Sequence, residues 1–459
     1  MIGTLTLVPL TVSIASGGHG MAARYAVVIA CLATSGLLLS TRKAPADVQI
    51  NEGMVLTALL FLFTPLVMSF PMMGTGMRFA DAVFESVSGI TTTGLSTLER
   101  VEGMPVSFLF SRAWMQWIGG LGIVIMSVAL VVRPGLAARG LAVTESVDDL
   151  VGGTRTYARQ VFLVYSLITV AGVILLWLMG ADGFNSVVYT LASVSTGGFA
   201  AHDASLAGLG DRPLHLVMCL LFFSCSTPLI YYFKVYRKGW VRDVNLLQLK
   251  AVAGLILLFT LLVGLSMLLF DDIPWNIVFT HSFVTAASSQ TTTGFSTVDV
   301  GHFGPVTKLL LIVSMAVGGG VGSTSGGIKV LRLMIILRVL EVTVARSFLA
   351  THAYYEPGMA GRKLQEKEVQ DAMVILFLFV GVVFISWVFF VAHRFDPLDS
   401  LFEVVSAAGT VGLSTGITSK GLPNVLKGVL CADMLLGRLE ILAWLILFHP
   451  RTWFGKRRF

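Results

Sequence analysis

A 19-residue pattern occurs four times in this chain, each copy lying between two long apolar runs. The copies read DAVFESVSGITTTGLSTLE from Asp81, NSVVYTLASVSTGGFAAHD from Asn185, HSFVTAASSQTTTGFSTVD from His281 and DSLFEVVSAAGTVGLSTGI from Asp399. Aligned without gaps, each places a glycine thirteen residues after its first residue, at Gly94, Gly198, Gly294 and Gly412, with separations of 104, 96 and 118. A unit of that length holds two long helices with one shorter segment between them. Internal repetition of this kind dictates the architecture before any single motif is consulted.

The long runs have membrane length. Apolar segments recur at about 20 to 25 residues, which is what a helix needs to cross ~30 Å of hydrocarbon. Only 13% of the 459 residues are charged, whereas a soluble domain carries about 25%. No polar stretch is long enough to build a soluble domain, and an outer-membrane barrel would show segments of about 10 residues with alternating polarity. Breaks between the runs predict helices near 25–40, 53–71, 105–132, 158–180, 213–236, 247–270, 306–346, 369–392 and 424–448. Residues 1–15 are apolar, shorter than a full span, and lack the basic start of a signal peptide. If they cross from a cytoplasmic N-terminus and each long run crosses once, 22 of the 32 Lys and Arg fall on one side and nine on the other, with Arg438 inside a span. That bias places the loops near 133–159, 234–250 and 346–367, and the C-terminus, in the cytoplasm. Cys31, Cys219, Cys225 and Cys431 have no metal-like spacing and read as small core hydrophobes.

Each repeat segment is too polar to cross and too apolar for an ordinary loop. Asp81, Asn185 and Asp399 are good N-cap residues and His281 a weaker one, so about seven residues of helix should follow each before the Thr/Ser/Gly stretch. Non-helical backbone at membrane depth survives where protein buries it or where it lines a water-filled path. Four such stretches meeting around one axis would offer a ring of carbonyls that replaces the hydration shell of a cation. The partial negative charge at four short-helix C-termini would favour the same sign of ion. The ring residues are Thr91, Thr92, Thr93 and Gly94; Ser195, Thr196, Gly197 and Gly198; Thr291, Thr292, Thr293 and Gly294; and Gly409, Thr410, Val411 and Gly412. Five residues further on stand Glu99, Asp203 and Asp299, with Ile417 in the fourth repeat. These acids are either an outer mouth that concentrates cations or a solvated acidic loop. Glu85 and Glu403 share a position inside the short helices, where hydrogen bonds to supporting backbone are expected.

Two further features interrupt apolar runs. The stretch Gly318, Gly319, Gly320, Val321, Gly322, Ser323, Thr324, Ser325, Gly326, Gly327 contains six glycines. It is no phosphate-binding loop, because Ile328 separates Lys329 from Gly327 and no strand precedes it. It reads as a kink for close helix packing or as a flexible loop beneath the ring, with Lys329 and Arg332 near the inner exit. Arg438 falls within an apolar run, where an arginine costs about 2.5 to 3.5 kcal/mol and needs a wet cavity or a partner. It is either half of an ion pair with another helix or a positive charge that opposes cation passage.

SGITTTGLST, STGGF, SQTTTGFST and GTVGLST, together with GGGVGSTSGGIKVLR and MLLGRLE, resemble the TrkH/TrkG/KtrB family of bacterial potassium-uptake proteins, closest to its TrkH branch. The likeness runs over nearly the whole chain. It implies an all-α integral membrane protein with four tandem helix, re-entrant pore loop, helix repeats around one central pore, preceded by an N-terminal helix hairpin. The corresponding units are 1–45 for the hairpin, then 46–140, 141–240, 241–350 with the gating loop, and 351–459 with a basic C-terminus. The resemblance implies K⁺ selection at the ring residues, an intramembrane gate at 318–327 with Lys329 and Arg438, and a homodimer in the bacterial inner (plasma) membrane. It also implies a peripheral cytoplasmic ring of TrkA type that binds NAD(H) or ATP. No cofactor is expected in the chain itself, K⁺ being the transported ion, and neither an enzyme's nucleophile and base nor a nucleic-acid surface is visible. Passive, gated, channel-like conduction is the leading reading, because the repeats share one orientation. The alternative is a secondary transporter coupling K⁺ to Na⁺ or H⁺, which calls for opposed repeats and a second ion site.

Overall fold

A computed structural model describes residues 3, 6–41, 49–131, 153–210, 212–238, 246–271, 273–348, 358–359 and 362–454. The proposed unit boundaries near 45, 140, 240 and 350, and many of the basic residues behind the orientation argument, lie outside the described residues. Helix α1 (Leu7–Ala15) reverses at Gly17, with φ +73°, into α2 (His19–Ser40), giving the hairpin with a nine-residue first arm. Three helices form the first repeat: α3 (Ile50–Met72), α4 (Phe79–Ile90) and α5 (Val106–Val131). The second contains α6 (Gly153–Leu178), α7 (Gly183–Val194), α8 (Arg212–Ser226) and α9 (Ile230–Lys238). In the third are α10 (Leu247–Phe270), α11 (Trp275–Gln290), α12 (Pro305–Ala316) and α13 (Val330–Arg346). The fourth comprises α14 (Glu366–Ala392), α15 (Pro397–Ala408), α16 (Asn424–Arg438) and α17 (Leu442–Phe448).

Among the described residues six helices are long and apolar enough to cross a membrane: α2, α3, α5, α6, α10 and α14. Their outward faces are hydrocarbon; α10 leaves Leu257, Leu261, Leu265 and Leu269 exposed one turn apart, a stripe that only lipid can solvate without penalty. The half-length helices α4, α7, α11 and α15 are sheathed by these spans and bury most of their length. The chain is therefore a multi-pass, all-α membrane protein of four tandem units around one axis, with the hairpin outside them.

Several local expectations are corrected. The half-length helices start earlier than the repeat pattern predicts, with N-caps at Arg78, Asp182, Pro274 and Asp396, and run for 12 to 16 residues. Asp182 and Asp396 accept the orphan N–H groups of Asn185, Leu398 and Asp399, so the capping carboxylate lies one turn upstream. Asp81 and Asp399 are thereby released to pair with lysines. The second helices of repeats two, three and four are all broken. The 213–236 run bends by 92° between α8 and α9 at Pro228, which has no N–H to continue the ladder. The 424–448 run stops at Arg438, because Glu440 and Ile441 take φ of 54° and 63°. Arg438 is thus the last residue of α16, at a break in the apolar run rather than in the middle of a continuous helix. Cys219 and Cys225 are buried as expected, whereas Cys31 is exposed.

Consecutive repeats are joined by buried charges at the end of the bundle where α12 and α16 begin. Lys308 of α12 meets Asp399 of α15 at 2.7 Å, and Lys427 of α16 meets Asp81 of α4 at 2.5 Å. The second pair has side chains only 3% and 5% exposed, and Asp81 also accepts Nε of the solvent-exposed Arg78 at 2.9 Å, so removing Lys427 leaves a buried carboxylate with an exposed partner in place of a buried one. Lys427→Met is expected to destabilise the protein by about 1.5–3 kcal/mol, the worth of one hydrogen bond to a charged group, read as a lowered unfolding temperature in detergent micelles. Asp81→Asn combined with it recovers much of that loss, and a double variant no more stable than the single one would show that the pair is not what holds repeats four and one together.

Candidate functional site

Each half-length helix ends in the same turn. The cap residues Thr91, Ser195, Thr291 and Gly409 are still right-handed, and the next residues, Thr92, Thr196, Thr292 and Thr410, have φ of 54°, 51°, 56° and 51°. Their amides and those one residue further close paired bonds onto the helix: Thr92 N to Gly89 O at 3.0 Å and Thr93 N to Ser88 O at 2.9 Å, with matching pairs in all four repeats. This is the Schellman closure, a position that usually takes glycine. A β-branched residue with positive φ is a true outlier, so the ring carries four strained threonines. Two residues later Gly94, Gly198, Gly294 and Gly412 return to positive φ, between 75° and 94°.

The four turns meet. A Cβ on Gly94 would overlap the carbonyl oxygen of Gly197, one on Gly198 that of Thr293, one on Gly294 that of Val411, and one on Gly412 that of Thr93. Each oxygen belongs to the residue just before the next repeat's glycine, so the contacts close a ring in the order one, two, three, four, one. The candidate residues of all four repeats are thereby brought together, and no side chain fits at the glycine positions. Thr91 and Thr93 share a hydroxyl bond of 2.8 Å, and Thr291 and Thr293 one of 2.7 Å. On one side the ring glycines form the floor of a vestibule of about 630 Å³, whose wall includes Glu99, Asp203 and Asp299. Asp203 accepts Val101 N at 2.5 Å, and Asp299 meets His302 Nδ1 at 2.9 Å.

Behind the ring stands a buried bracing layer. Glu85 accepts Ser96 Oγ at 2.5 Å, Thr97 N at 2.9 Å and Arg112 Nε at 3.1 Å, and Glu403 accepts Ser414 Oγ, Thr415 N and Thr418 Oγ1. Both carboxylates hold backbone just beyond the ring, as their position inside the short helices predicts. Arg112 also lies over the Phe199 ring at 3.8 Å. Gln116 escaped the sequence reading: its Nε2 donates to Gly197 O at 2.5 Å and its Oε1 accepts Phe199 N at 3.2 Å. It lies outside the repeated segment on α5, and its only sequence signal is a neutral amide within an apolar span.

On the other side of the ring the glycine-rich stretch folds into a loop pinched at its neck, where Gly318 N bonds Ile328 O at 2.9 Å and Ile328 N bonds Ala316 O at 2.9 Å. Its returning limb, just before the neck, touches the ring directly. Ser325 Oγ donates to Thr291 O at 2.8 Å, Gly326 N donates to Thr292 Oγ1 at 2.7 Å, and a Cβ on Gly326 would overlap Thr410 Oγ1. Gly320 N and Thr324 N bond the carbonyls of Ser226 and Cys225 at the α8 break. Arg438 Nη1 donates to Thr324 O at 2.8 Å and Lys329 Nζ donates to Ser325 O. Glu440 accepts Arg332 Nη2 at 2.5 Å. Gly318 to Gly327, Lys329 and Arg438 therefore form one cluster, and the three broken helices converge on it. Arg332, Arg438 and one carboxylate, Glu440, all lie within electrostatic range of Lys329, so basic groups outnumber acidic ones at this level. Among the described residues Arg438 Nε and Nη2 have no hydrogen-bond partner.

A family model described as "TrkH: Cation transport protein" matches residues 19–226 and 240–453. The Trk system potassium uptake protein TrkH of Escherichia coli is 28% identical over 98% of this chain and 96% of its own length. An uncharacterized cation transporter of Methanocaldococcus jannaschii is likewise 28% identical, over 98% and 92%. Trk system potassium uptake protein TrkI of Halomonas elongata is 30% identical over 93% and 89%. The crystal structure of the potassium transporter TrkH from Vibrio parahaemolyticus superposes with a TM-score of 0.85 over 99% of both chains at 23% identity, a likeness of fold. With a matched family model spanning most of the residues and the fold shared throughout, this chain belongs to the TrkH family of cation transport proteins.

Proposed function

We propose that this protein takes up K⁺ through a gated, channel-like pore whose filter is the ring of Thr91–Gly94, Ser195–Gly198, Thr291–Gly294 and Gly409–Gly412. The observation that carries the reading is the cyclic contact of each ring glycine with the carbonyl oxygen of the next repeat. Such closure holds backbone oxygens around one axis, and carbonyl rings of this kind replace a cation's water. Relatives that match over nearly the whole chain are named potassium uptake proteins, which supports K⁺ as the ion. Glu99, Asp203 and Asp299 line the outer vestibule and raise the local concentration of cations there.

Loop 318–327 is the gate in this reading. It bonds Thr291 and Thr292 from below, and Arg438 and Lys329 hold its backbone at Thr324 and Ser325. Movement of the loop removes its obstruction and shifts the charge of Arg438 together. The chain acts as a homodimer in the inner (plasma) membrane with its C-terminus in the cytoplasm, where a nucleotide-binding ring of TrkA type sets the gate. All four repeats meet the ring through the same end of their half-length helices, which favours a channel over a carrier with opposed halves.

Flux into proteoliposomes containing the purified chain tests the reading. Uptake should follow the K⁺ electrochemical gradient with no Na⁺ or pH gradient, and Gly294→Ser, whose Cβ strikes the Val411 carbonyl, should lose discrimination against Na⁺. Accumulation of K⁺ against its gradient, driven by Na⁺ or H⁺, would replace the channel with a coupled transporter. Arg438→Ala removes a charge-assisted bond of about 1.5–3 kcal/mol and should favour the open state by roughly ten- to a hundredfold, seen as higher single-channel open probability; unchanged gating would make Arg438 a brace only. Gln116→Leu leaves the carbonyl of Gly197 and the amide of Phe199 unpaired, each costing about 1–3 kcal/mol. It should lower both thermal stability and K⁺ over Na⁺ selectivity, whereas a stability loss at wild-type selectivity would show that Gln116 does not position the ring.

A further inference from the structure

We infer that an acyl chain of a bilayer phospholipid enters a pocket behind the first repeat's turn and packs against the end of α4. The pocket has a volume of about 110 Å³ and lies between α3 and α5, with Leu60, Phe61, Met68, Trp114 and Ile118 in its walls and Ile90 at its inner end. Ile90 is the last residue of α4 and immediately precedes Thr91 of the ring. The lining stretches fall in the middle of the spans Asn51–Thr75 and Val106–Met126, so the pocket sits deep in the bilayer. Leu56, Phe63 and Leu66, on the same helix as its mouth, are exposed, so the medium outside is hydrocarbon. A water molecule needs two to four polar partners to stay in a cavity. Among the described residues the lining offers two hydroxyls, and that of Thr6 already donates to Gly3 O at 2.7 Å. An unfilled void of this kind forfeits the dispersion contacts of its walls, and the group at hand to supply them is a lipid chain.

Two glycines one helical turn apart on α5 separate packing from access. Gly119 is pressed on the backbone of Ile90, where a Cβ would overlap the carbonyl oxygen. Gly122 also lines the pocket, yet a Cβ there would meet nothing within 4 Å, and its backbone has no positive φ. Glycine is a poor helix former, and close approach does not explain it at 122. Its effect in this structure is to keep the pocket open toward the lipid.

Trp114 reports on the occupant. The full chain is reconstituted in nanodiscs of phosphatidylethanolamine and phosphatidylglycerol with plain or dibrominated acyl chains, and the emission of Trp114 is taken as the difference between wild type and Trp114→Phe. Bromine should quench more than half of that emission, most strongly when placed toward the chain end. Gly122→Phe, which fills the pocket, should abolish the quenching, and Gly122→Ala, which leaves it open, should retain it. Trp114 emission indifferent to bromine at every position would overturn the proposal and point to a second copy of this chain, or another protein surface, covering the pocket. Quenching unchanged in Gly122→Phe would overturn it too, because the bromine would then reach Trp114 from the annular lipid. The readout is independent of K⁺ flux, so its failure is distinct from failure of the proposed function.

Discussion

The structure depends on the close approach of four glycines to four carbonyl oxygens. Gly94, Gly198, Gly294 and Gly412 each stand where a Cβ would coincide with the oxygen of the next repeat. The contact is cyclic, so no repeat can shift without displacing its neighbour. It also explains why strained threonines persist at 92, 196, 292 and 410: the left-handed turn costs about 1–2 kcal/mol at each, and the surrounding closure over-determines it. The half-length helices, the sheathing spans and the inter-repeat ion pairs all serve to hold these turns at one level. Glu85, Glu403 and Gln116 act on the backbone around the ring, using a buried hydrogen-bonding layer that water cannot loosen.

Beneath the ring the order of events along the chain changes. The α5 helix of the first repeat continues unbroken through this level, whereas the corresponding helices of the other three break at 227–229, 317–329 and 439–441. Backbone groups freed by the breaks are not left orphaned; loop 318–327 collects several of them, taking the carbonyls of Cys225 and Ser226 and giving its own Thr324 carbonyl to Arg438. Irregular backbone at this depth is stable only with such partners. The positive groups cluster where the breaks meet, with Glu440 held by Arg332 from the far side of the loop. Breaks, loop and charges form one hydrogen-bonded body, so a displacement of α13 is transmitted to Thr291 and Thr292 through Lys329, Ser325 and Gly326.

The repeat, the membrane class and the identity of the ring were legible because they are written in local pattern: hydropathy over one span, and a glycine at constant offset. Thr is the one residue other than the final glycine common to all four turns, at 92, 196, 292 and 410, and that constancy was the available signal of the left-handed position. Helix starts were misplaced because Asp81 and Asp399 look like caps by residue type, while their pairing with Lys427 and Lys308 depends on chain more than 90 residues away. The breaks at 227–229 and 439–441 sit within continuous apolar runs, and hydropathy does not record a backbone bend. Pro228 hinted at the first; nothing in the type of Glu440 or Ile441 announces positive φ. Gln116 was invisible for the same reason as the lysine pairs, since its partners lie in the next repeat.

Fourfold backbone symmetry here coexists with three kinds of joint. Repeat one grips repeat two through Gln116 and through Arg112 over Phe199. Repeat two meets repeat three by stacking, with Phe295 at 5.6 Å from Tyr189 and 5.7 Å from Phe222. Repeats three to four and four to one use the buried lysine pairs. A homotetramer must use one joint four times, so any change meant for one quadrant alters all of them. Fusing the repeats removes that restriction. Loop 318–327 takes advantage of it: the loop engages Thr291, Thr292 and Thr410 of repeats three and four from below, while the first repeat keeps an unbroken helix. The ring is thus rigidly closed in its own plane but supported unevenly along its axis, so motion beneath it reaches one half of the ring first.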